Sequence, residues 1–223
     1  MTQKIDRRMT YYIVLDTETT NGFDDPLVYD CGFAVVDKKG NVYERFSFVN
    51  REVFCEMKDL MQSAYYADKI PNYWEQIKEH TRRITNLYMI RKTLHDVCKK
   101  YNVKAIMAHN ARFDYLALST TQRYLTKSKY RWFFPYGVEI WDTLKMAQDT
   151  ICKQKSYIRW CHEKDYLTKN GKPQATAEIL YRYITGNDDF IESHTGLEDV
   201  MIEKEIFAHC MRQHKTMRKK LYK

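Results

Sequence analysis

The order of strand-like and helix-like segments constrains the fold of this chain most. Two β-rich runs, Val28 to Asp37 and Asn41 to Asn50, are separated by a short turn that ends in Gly40, which predicts a β-hairpin. A short apolar run from Tyr11 to Asp16 precedes the hairpin and predicts a buried strand. Because a hairpin pairs its strands antiparallel, the sheet cannot be purely parallel.

The remainder of the chain alternates between helical and strand patterns. A helical pattern runs from Glu56 to about Lys100 and is interrupted at Pro71 and Asn72. Beyond it we predict further strands at 103–108 and 137–141 and further helices at 110–125, 143–152, 175–184 and 197–211. This alternation predicts an α/β fold, a mixed sheet flanked by helices. Since neither an internal repeat nor a Pro- or Gly-rich linker is visible, we expect one domain over 1–223.

Composition excludes several classes of protein. No apolar run approaches the roughly 20 residues of a membrane helix, and the polar segment from Met1 to Arg8 does not resemble a signal peptide. We therefore expect no membrane partner. The six cysteines include no close pair, which argues against a structural zinc site and predicts reduced thiols. The expected location is the cytoplasm, of a bacterial or phage-infected cell.

The charge balance favours a polyanionic partner. Thirty-seven Lys and Arg residues against 29 Asp and Glu residues give a net charge of +8. Nucleic acid is the commonest partner of such a chain. A charge that serves only solubility is the alternative.

Basic and aromatic residues are interleaved in one stretch that contains no acidic residue, Tyr115 to Val138. Cations contact phosphates and rings stack on bases, so the stretch is a candidate track for a single strand. Its candidate residues are Arg123, Lys127 and Arg131, with Tyr124, Tyr130, Trp132, Phe133 and Phe134 between or beside them. The alternative is a helix end and a loop whose rings belong to the core. The basic tail at about 212–223 is either a nucleic-acid-binding arm or a frayed helix end.

Carboxylates stand at two predicted strand ends. Asp16 and Glu18 lie two residues apart in an extended chain and so point to the same face. Their mutual repulsion falls if a cation lies between them, and oxygen ligands favour Mg²⁺ or Mn²⁺. After the 103–108 strand, Asn110 is a good N-cap, which places Asp114 in the first turn of the next helix.

A histidine and a further carboxylate flank a predicted helix start near the C-terminus. Thr195 and Glu198 have capping-box spacing, so Thr195 is the expected N-cap. His194 then lies just outside the helix and Asp199 inside its first turn. An imidazole with an ordinary pKa of about 6.5 suits general-base catalysis near neutral pH. His109 is the rival base, but it ends a strand and is expected to be structural.

Together these motifs resemble a known family. DTET at 16–19, HNARFD at 109–114 and HTGLED at 194–199 look like the three motifs of the DEDDh 3′–5′ exonucleases, in the same order. The family includes the epsilon proofreading subunits of DNA polymerase III, RNase T and oligoribonucleases. WDTLKMA at 141–147 also resembles a stretch of those proteins. The resemblance implies an RNase H-like fold: a five-stranded mixed sheet with its second strand antiparallel and helices on both sides. Gln154 to Ile191 has no counterpart in the smallest members and is a candidate for substrate selection.

The resemblance also implies a two-metal mechanism. Asp16, Glu18 and Asp199 would hold one Mg²⁺. Asp16 would also hold a second, which Asp114 would support directly or through water, and Mn²⁺ could substitute. His194 would deprotonate the water that attacks the terminal phosphodiester. The product would be a nucleoside 5′-monophosphate.

The implied partners are 3′ ends of single-stranded DNA or RNA, with DNA preferred. Thr19 and Asn110 would join the basic residues 123, 127 and 131 in binding the strand. The alternatives are an exonuclease specific for RNA or oligoribonucleotides and a proofreading subunit bound to a polymerase. A nucleic-acid-binding module without activity is the alternative from another class. Self-association is left open.

Overall fold

The computed structural model describes residues 5–20, 25–62, 64–127 and 132–222. Within them, one mixed sheet contains β1 (Tyr12–Thr20), β2 (Leu27–Val36), β3 (Val42–Asn50), β4 (Arg83–Thr85), β5 (Ala105–Ala108) and β6 (Glu139–Asp142). The strand order is β4-β3-β2-β1-β5-β6. Strand β2 is antiparallel to both of its neighbours, and the other neighbouring pairs are parallel.

The predicted RNase H-like α/β fold is confirmed, including the hairpin and the antiparallel second strand. The strand count differs: five strands were predicted, and β4 is a sixth. Its three residues pair in parallel with Phe48 to Asn50, at the edge of the sheet. Three residues are too few to show an alternating pattern, so the strand was hidden within a stretch with helical periodicity.

Helices cover both faces of the sheet. Their bounds are α1 (Arg51–Phe54), α2 (Lys58–Gln62), α3 (Ile70–Lys78), α4 (Leu87–Tyr101), α5 (Arg112–Thr126), α6 (Thr143–Asp149), α7 (Lys155–Glu163), α8 (Ala177–Thr185) and α9 (Gly196–Arg212). Side chains of β1 alternate between the faces: Ile13 and Leu15 pack against α4 and α5, while Tyr12 and Val14 pack against α6 to α9. Pro71 lies in the first turn of α3 rather than interrupting a helix, because its missing N–H needs no partner there.

The C-terminal segment is neither a free arm nor a frayed helix end. After α9 it returns to the sheet edge, where the Asp142 N–H donates to the Lys219 carbonyl (2.7 Å) and the Leu221 N–H donates to the Ile140 carbonyl (2.8 Å). Arg218 pairs with Asp149. The exposed edge of β6 offers unpaired backbone groups, which the returning chain satisfies.

Residues 154–191 form α7, a short turn closed by a bridge between Leu167 and Pro173, and α8. Tyr157 and Leu180 anchor this segment in the core against α9. In the described part of the chain, no helix has both the length and the apolar character to cross a bilayer.

Candidate active site

Three carboxylates converge where β1 meets the start of α9. One oxygen from each of Asp16, Glu18 and Asp199 lies within 4.8 Å of the others. Asp16 and Glu18 share a face of β1, as their spacing predicts. The register between β1 and β2 shifts between Glu18 and Thr19, which marks an irregularity at the point where the strand leaves the acidic cluster.

Two glycines allow α9 to approach the sheet closely enough to deliver Asp199. A Cβ on Gly32 of β2 would lie 2.2 Å from the Leu197 nitrogen, and a Cβ on Gly196 would lie 2.7 Å from the Gly32 nitrogen. Both clashes are with backbone, so a side chain could not move to relieve them. The absence of two side chains therefore sets the distance between the helix start and the strands.

A buried polar network fixes the same helix start. The Asp30 carboxylate accepts hydrogen bonds from the Gly196 N–H (2.9 Å) and from the Tyr73 hydroxyl (2.8 Å). Arg82, which is buried, pairs with Asp30 and also with Glu198 (2.9 Å). Removing one partner of a buried ion pair leaves an uncompensated charge, so this network strongly favours one position of α9.

The α9 N-terminus is capped differently from the predicted capping box. Thr195 is the N-cap, as expected, but its backbone N–H donates to Asp199 (2.9 Å) rather than to Glu198. The Thr195 hydroxyl donates to Glu198, and the Ser193 hydroxyl donates to Asp199 (3.2 Å). Glu198 also pairs with Arg82, and Asp199 accepts the hydrogen bond from the Thr195 N–H that a capping box assigns to Glu198.

Asp114 lies in the first turn of α5 and is held by β1. The Thr17 hydroxyl donates to its Oδ1 (2.8 Å), which fixes the carboxylate beside the acidic cluster. The predicted N-cap role of Asn110 is wrong: the N-cap is Ala111, and Asn110 has a left-handed backbone with φ of +67°. The Asn110 N–H instead donates to Asp142 (3.2 Å), so the turn is fixed from β6.

His194 lies immediately before the α9 N-cap and is held from the 3₁₀ turn Ala67–Lys69. The Tyr66 ring stacks on the imidazole, with centroids 4.8 Å apart and planes 13° from parallel. The Lys69 ammonium lies 4.2 Å from the Tyr66 ring centroid and donates to the carbonyls of Ser193 and His194. Burial and the Lys69 charge both lower the pKa of His194 below its ordinary value, which favours the neutral ring.

Replacing Lys69 by methionine is expected to raise the pKa of His194, because a neighbouring positive charge is lost while the ring stays partly buried. The loop should also loosen, since two carbonyls lose their donor. An NMR titration of the His194 ring measures the change. Lys164→Met, at a surface pair with Asp188, is the matched control and should leave the ring unaffected. Identical titrations in both variants would contradict this role.

His109 is built into the structure at both ring nitrogens. Its Nε2 lies 2.7 Å from the Ala175 carbonyl and therefore carries the proton, while Nδ1 lies 3.1 Å from the Thr143 hydroxyl. Burial lowers the pKa of this imidazole. These contacts support the structural role expected for His109.

The carboxyl groups of the site share one electrostatic environment. Burial, followed by the charges of neighbouring carboxylates, raises the pKa of Asp16 well above its ordinary value. Burial, followed by the charge of Asp30, raises the pKa of Glu18 to about 8. Burial is also the main cause for Asp114 and Asp199, whose pKa values rise to about 7. A cation would reverse these shifts by favouring the ionised forms.

We expect the metal-free protein to lose stability as the pH rises. A carboxyl whose pKa is raised by folding stabilises the fold fully below its unfolded pKa of about 4, and this contribution is lost as the pH passes its folded value. For Glu18, Asp114 and Asp199 the loss extends to about pH 7–8. Buried His109 acts in the opposite sense only below about pH 6.5. Without metal, the melting temperature should therefore fall between about pH 6.5 and 8, and with saturating Mg²⁺ it should depend less on pH. Parallel curves with and without Mg²⁺ would contradict cation binding by these carboxylates.

The predicted substrate-binding residues are distributed unevenly. Thr19 directly follows Glu18 in the chain, and Asn110 lines the same cavity as Asp16. Arg123 and Lys127 are exposed at the end of α5, and Arg131 lies outside the described residues. Two of the predicted stacking rings, Phe133 and Phe134, are core residues and cannot stack on bases. Tyr124 and Trp132 are exposed, and Tyr130 also lies outside the described residues.

Several residues that support the site were not found from the sequence. Thr17 could have been found, since it lies inside the DTET motif. Tyr66, Lys69 and Arg82 could not, because they lie far along the chain from the groups that they contact. Glu203 offered only its spacing, four residues after Asp199 on the same helix.

Comparisons with known proteins identify the fold. No family model matches the sequence, and no curated protein matches it. Among solved structures, the nuclease domain of 3'hExo, a DEDDh family member bound to rAMP, gives a TM-score of 0.63 at 12% identity, covering 97% of this chain and 100% of that one. A full-length 3'-exonuclease gives 0.62 at 14% identity, covering 96% and 88%. Exonuclease I of E. coli, solved with a 5cy-dT13 oligonucleotide, gives 0.50 at 14% identity, covering 88% and 39%.

At these identities the likeness is one of fold. The chain therefore has the fold of the DEDDh exonucleases, and the resemblance inferred from its three motifs is confirmed at that level. The similarity extends over nearly the whole chain.

Proposed function

We propose that this chain is a metal-dependent 3′–5′ exonuclease that releases nucleoside 5′-monophosphates from single-stranded ends. The observation that carries the proposal is the convergence of Asp16, Glu18 and Asp199 within 4.8 Å, in a fold shared with DEDDh exonucleases. Asp114, from the second motif, acts electrostatically on Asp16. His194, from the third motif, directly precedes Thr195, whose N–H donates to Asp199.

The donor atoms fit hard divalent cations. All of the proposed ligands are carboxylates, the Asp16 Oδ2 is buried without a hydrogen-bond partner, and the neighbouring carboxyl groups have raised pKa values. Oxygen-only ligand sets favour Mg²⁺, with Mn²⁺ as a substitute. We assign one cation to Asp16, Glu18 and Asp199 and a second to Asp16 and Asp114. Such cations would activate water and neutralise the charge that develops on the phosphodiester.

The chain itself supplies the base and the positioning groups. The His194 imidazole accepts the proton of the attacking water, and its lowered pKa keeps the ring neutral and able to do so at pH 7. Tyr66 and Lys69 hold the loop that carries it. Thr17 holds the Asp114 carboxylate in place.

Substrate selection is proposed at two surfaces. Backbone around Glu18 and Thr19, at the irregular end of β1, would contact the terminal 3′-hydroxyl and so direct cutting to the end of a strand. Arg123 and Lys127 would attract the phosphates farther along, with affinity that falls as salt rises. Single-stranded DNA is the proposed substrate. RNA is the second candidate, because the 3'hExo domain is solved with rAMP.

A strand labelled at its 5′ end tests the proposal. With Mg²⁺ or Mn²⁺ the label should move through successively shorter strands while mononucleotides accumulate, and chelation should stop the reaction. Parallel reactions on DNA, RNA, blunt duplex and a strand blocked by a 3′-phosphate define the substrate. Binding without any shortening would instead indicate an inactive nucleic-acid-binding module. Shortening that continues in chelator would contradict the metal-dependent mechanism.

Replacing His194 by alanine is expected to lower kcat by roughly 10²–10⁴-fold, the usual cost of losing a general base. The acid limb of the pH–rate profile should disappear, because that limb reports the imidazole losing its proton. His109→Ala is the comparison, and it should lower stability more than kcat because both of its ring nitrogens are engaged. The assignment fails if the acid limb survives in the His194 variant and is lost in the His109 variant.

A further inference from the structure

We infer that Glu203 is an additional carboxylate ligand group of the cation site formed by Asp16 and Asp114. It lies outside the three motifs, so the resemblance assigns it no role. The inference rests on the proposed function, since it requires that the acidic cluster binds divalent cations.

The position of Glu203 on α9 brings it to the site. It lies four residues, about one helical turn, after Asp199 and therefore on the same face of the helix. Only 3% of the residue is exposed. Its Oε1 accepts a hydrogen bond from the His109 N–H (3.1 Å) at the end of β5. The carboxylate is thus tethered to the strand end that also leads into Asp114.

The second oxygen of Glu203 is the informative one. Its Oε2 is buried and has no hydrogen-bond partner, and the Asp16 Oδ2 is in the same condition. Glu203 and Asp16 line one cavity of about 820 Å³. The ion pairs of the described residues include none with Glu203, so no lysine or arginine there neutralises it.

The surroundings of Glu203 are acidic. Asp114, Asp199 and Glu192 act electrostatically on Glu203, and Glu203 in turn acts electrostatically on Asp16. Burying one more carboxylate among others is costly unless a cation is present. A glutamate needed only for the His109 contact would use Oε1 alone, and glutamine would serve equally well. The unpartnered Oε2, on a residue that lines the same cavity as Asp16, is explained if it binds a cation directly or through a water molecule.

Glu203→Gln separates the two explanations, because the amide oxygen can keep the bond to the His109 N–H while the charge is lost. Metal-free full-length protein is titrated with Mn²⁺, and free Mn²⁺ is followed by electron paramagnetic resonance. The wild type is expected to bind two Mn²⁺ ions. In Glu203→Gln one of the two sites should lose at least tenfold in affinity, while the other is retained. Glu205→Gln, on the same helix and paired with Lys204, removes the same charge away from the cluster and should titrate like the wild type.

Asp114→Asn tests whether both carboxylates serve one ion. It should weaken the same Mn²⁺ site. The variant that combines Asp114→Asn with Glu203→Gln should lose less binding free energy than the sum of the two single losses, because both carboxylates bind the same ion. Glu203→Asp keeps the charge but shortens the side chain, and it should fall between the wild type and Glu203→Gln. Circular dichroism melts confirm that each variant is folded before titration.

The outcomes distinguish the inference from the proposed function. If folded Glu203→Gln binds both ions as tightly as the wild type does, the role of Glu203 is overturned and the proposed function is left intact. Wild-type binding of both ions by Asp16→Asn overturns the metal site itself, and with it the proposed function. A loss of at least tenfold in affinity at one site in Glu203→Gln, with Glu205→Gln unchanged, supports the inference.

Discussion

Replacing Asp16 by asparagine should reduce exonuclease activity by about a thousandfold or more and, in the same protein, raise the melting temperature of the metal-free form. Asp16 is the carboxylate common to both proposed cation sites, so its loss weakens both. Its Oδ2 is buried without a partner, and its pKa is raised well above normal by burial and by four neighbouring carboxylates. Removing that charge relieves repulsion in the folded state. Activity and stability should therefore change in opposite directions.

Asp37→Asn is a suitable control for the Asp16 variant. Asp37 is also a buried aspartate, but it accepts hydrogen bonds from the Asn41 side chain and from the Lys39 and Asn41 backbone in the hairpin turn. Although burial alone would raise its pKa, these bonds lower it below the ordinary value, so its charge is stabilising. Asp37→Asn should consequently lower the melting temperature and preserve activity. Retention of more than about a tenth of wild-type activity by Asp16→Asn would contradict the metal assignment.

Replacing Gly32 by alanine should have the largest effect on stability, at least about 4 kcal/mol. The added Cβ would lie 2.2 Å from the Leu197 nitrogen and 2.3 Å from the Gly196 carbonyl carbon, so α9 must move away from β2. Because α9 carries Asp199, any folded fraction should also bind Mn²⁺ poorly. Denaturant unfolding measures the first effect, and a Mn²⁺ titration of the soluble protein measures the second.

Gly186→Ala is the matched control for this substitution. Gly186 has a left-handed backbone with φ of +70°, yet nothing lies within 4 Å of an added Cβ. It should cost only the roughly 1–2 kcal/mol of that conformation, with Mn²⁺ binding preserved. Equal losses in the two variants would show that contact between α9 and β2 does not determine the position of Asp199.

Local patterns were sufficient for the elements that carry the chemistry. The alternation in β1 predicted that Asp16 and Glu18 share a face, and their oxygens lie close together. The predictions of Thr195 as the N-cap and of the hairpin formed by β2 and β3 were also correct. Such signals come from residues a few positions apart, and a helix or strand fixes the geometry at that range.

Local patterns failed where a distant group competed for the same atoms. Glu198 has capping-box spacing, but its carboxylate accepts a hydrogen bond from Arg82, which is 116 residues away in the chain. Asn110 is a favourable N-cap type, but its backbone is drawn to Asp142. The charge of the basic tail predicted a nucleic-acid-binding arm or a frayed helix end, whereas the backbone of the tail pairs with the open edge of β6.

The sequence by itself determined that Asp16 and Glu18 share one face of β1 and that a hairpin follows, because both depend on residue type and short spacing. Only the tertiary structure decided which groups complete the site. Thr17 meets Asp114 across 97 residues, and Lys69 meets Ser193 across 124. The unpartnered oxygen of Glu203 likewise becomes visible only when α9 is packed on the sheet. Periodicity shows which face of an element is buried, but the partner on that face is selected by packing between elements far apart in the chain.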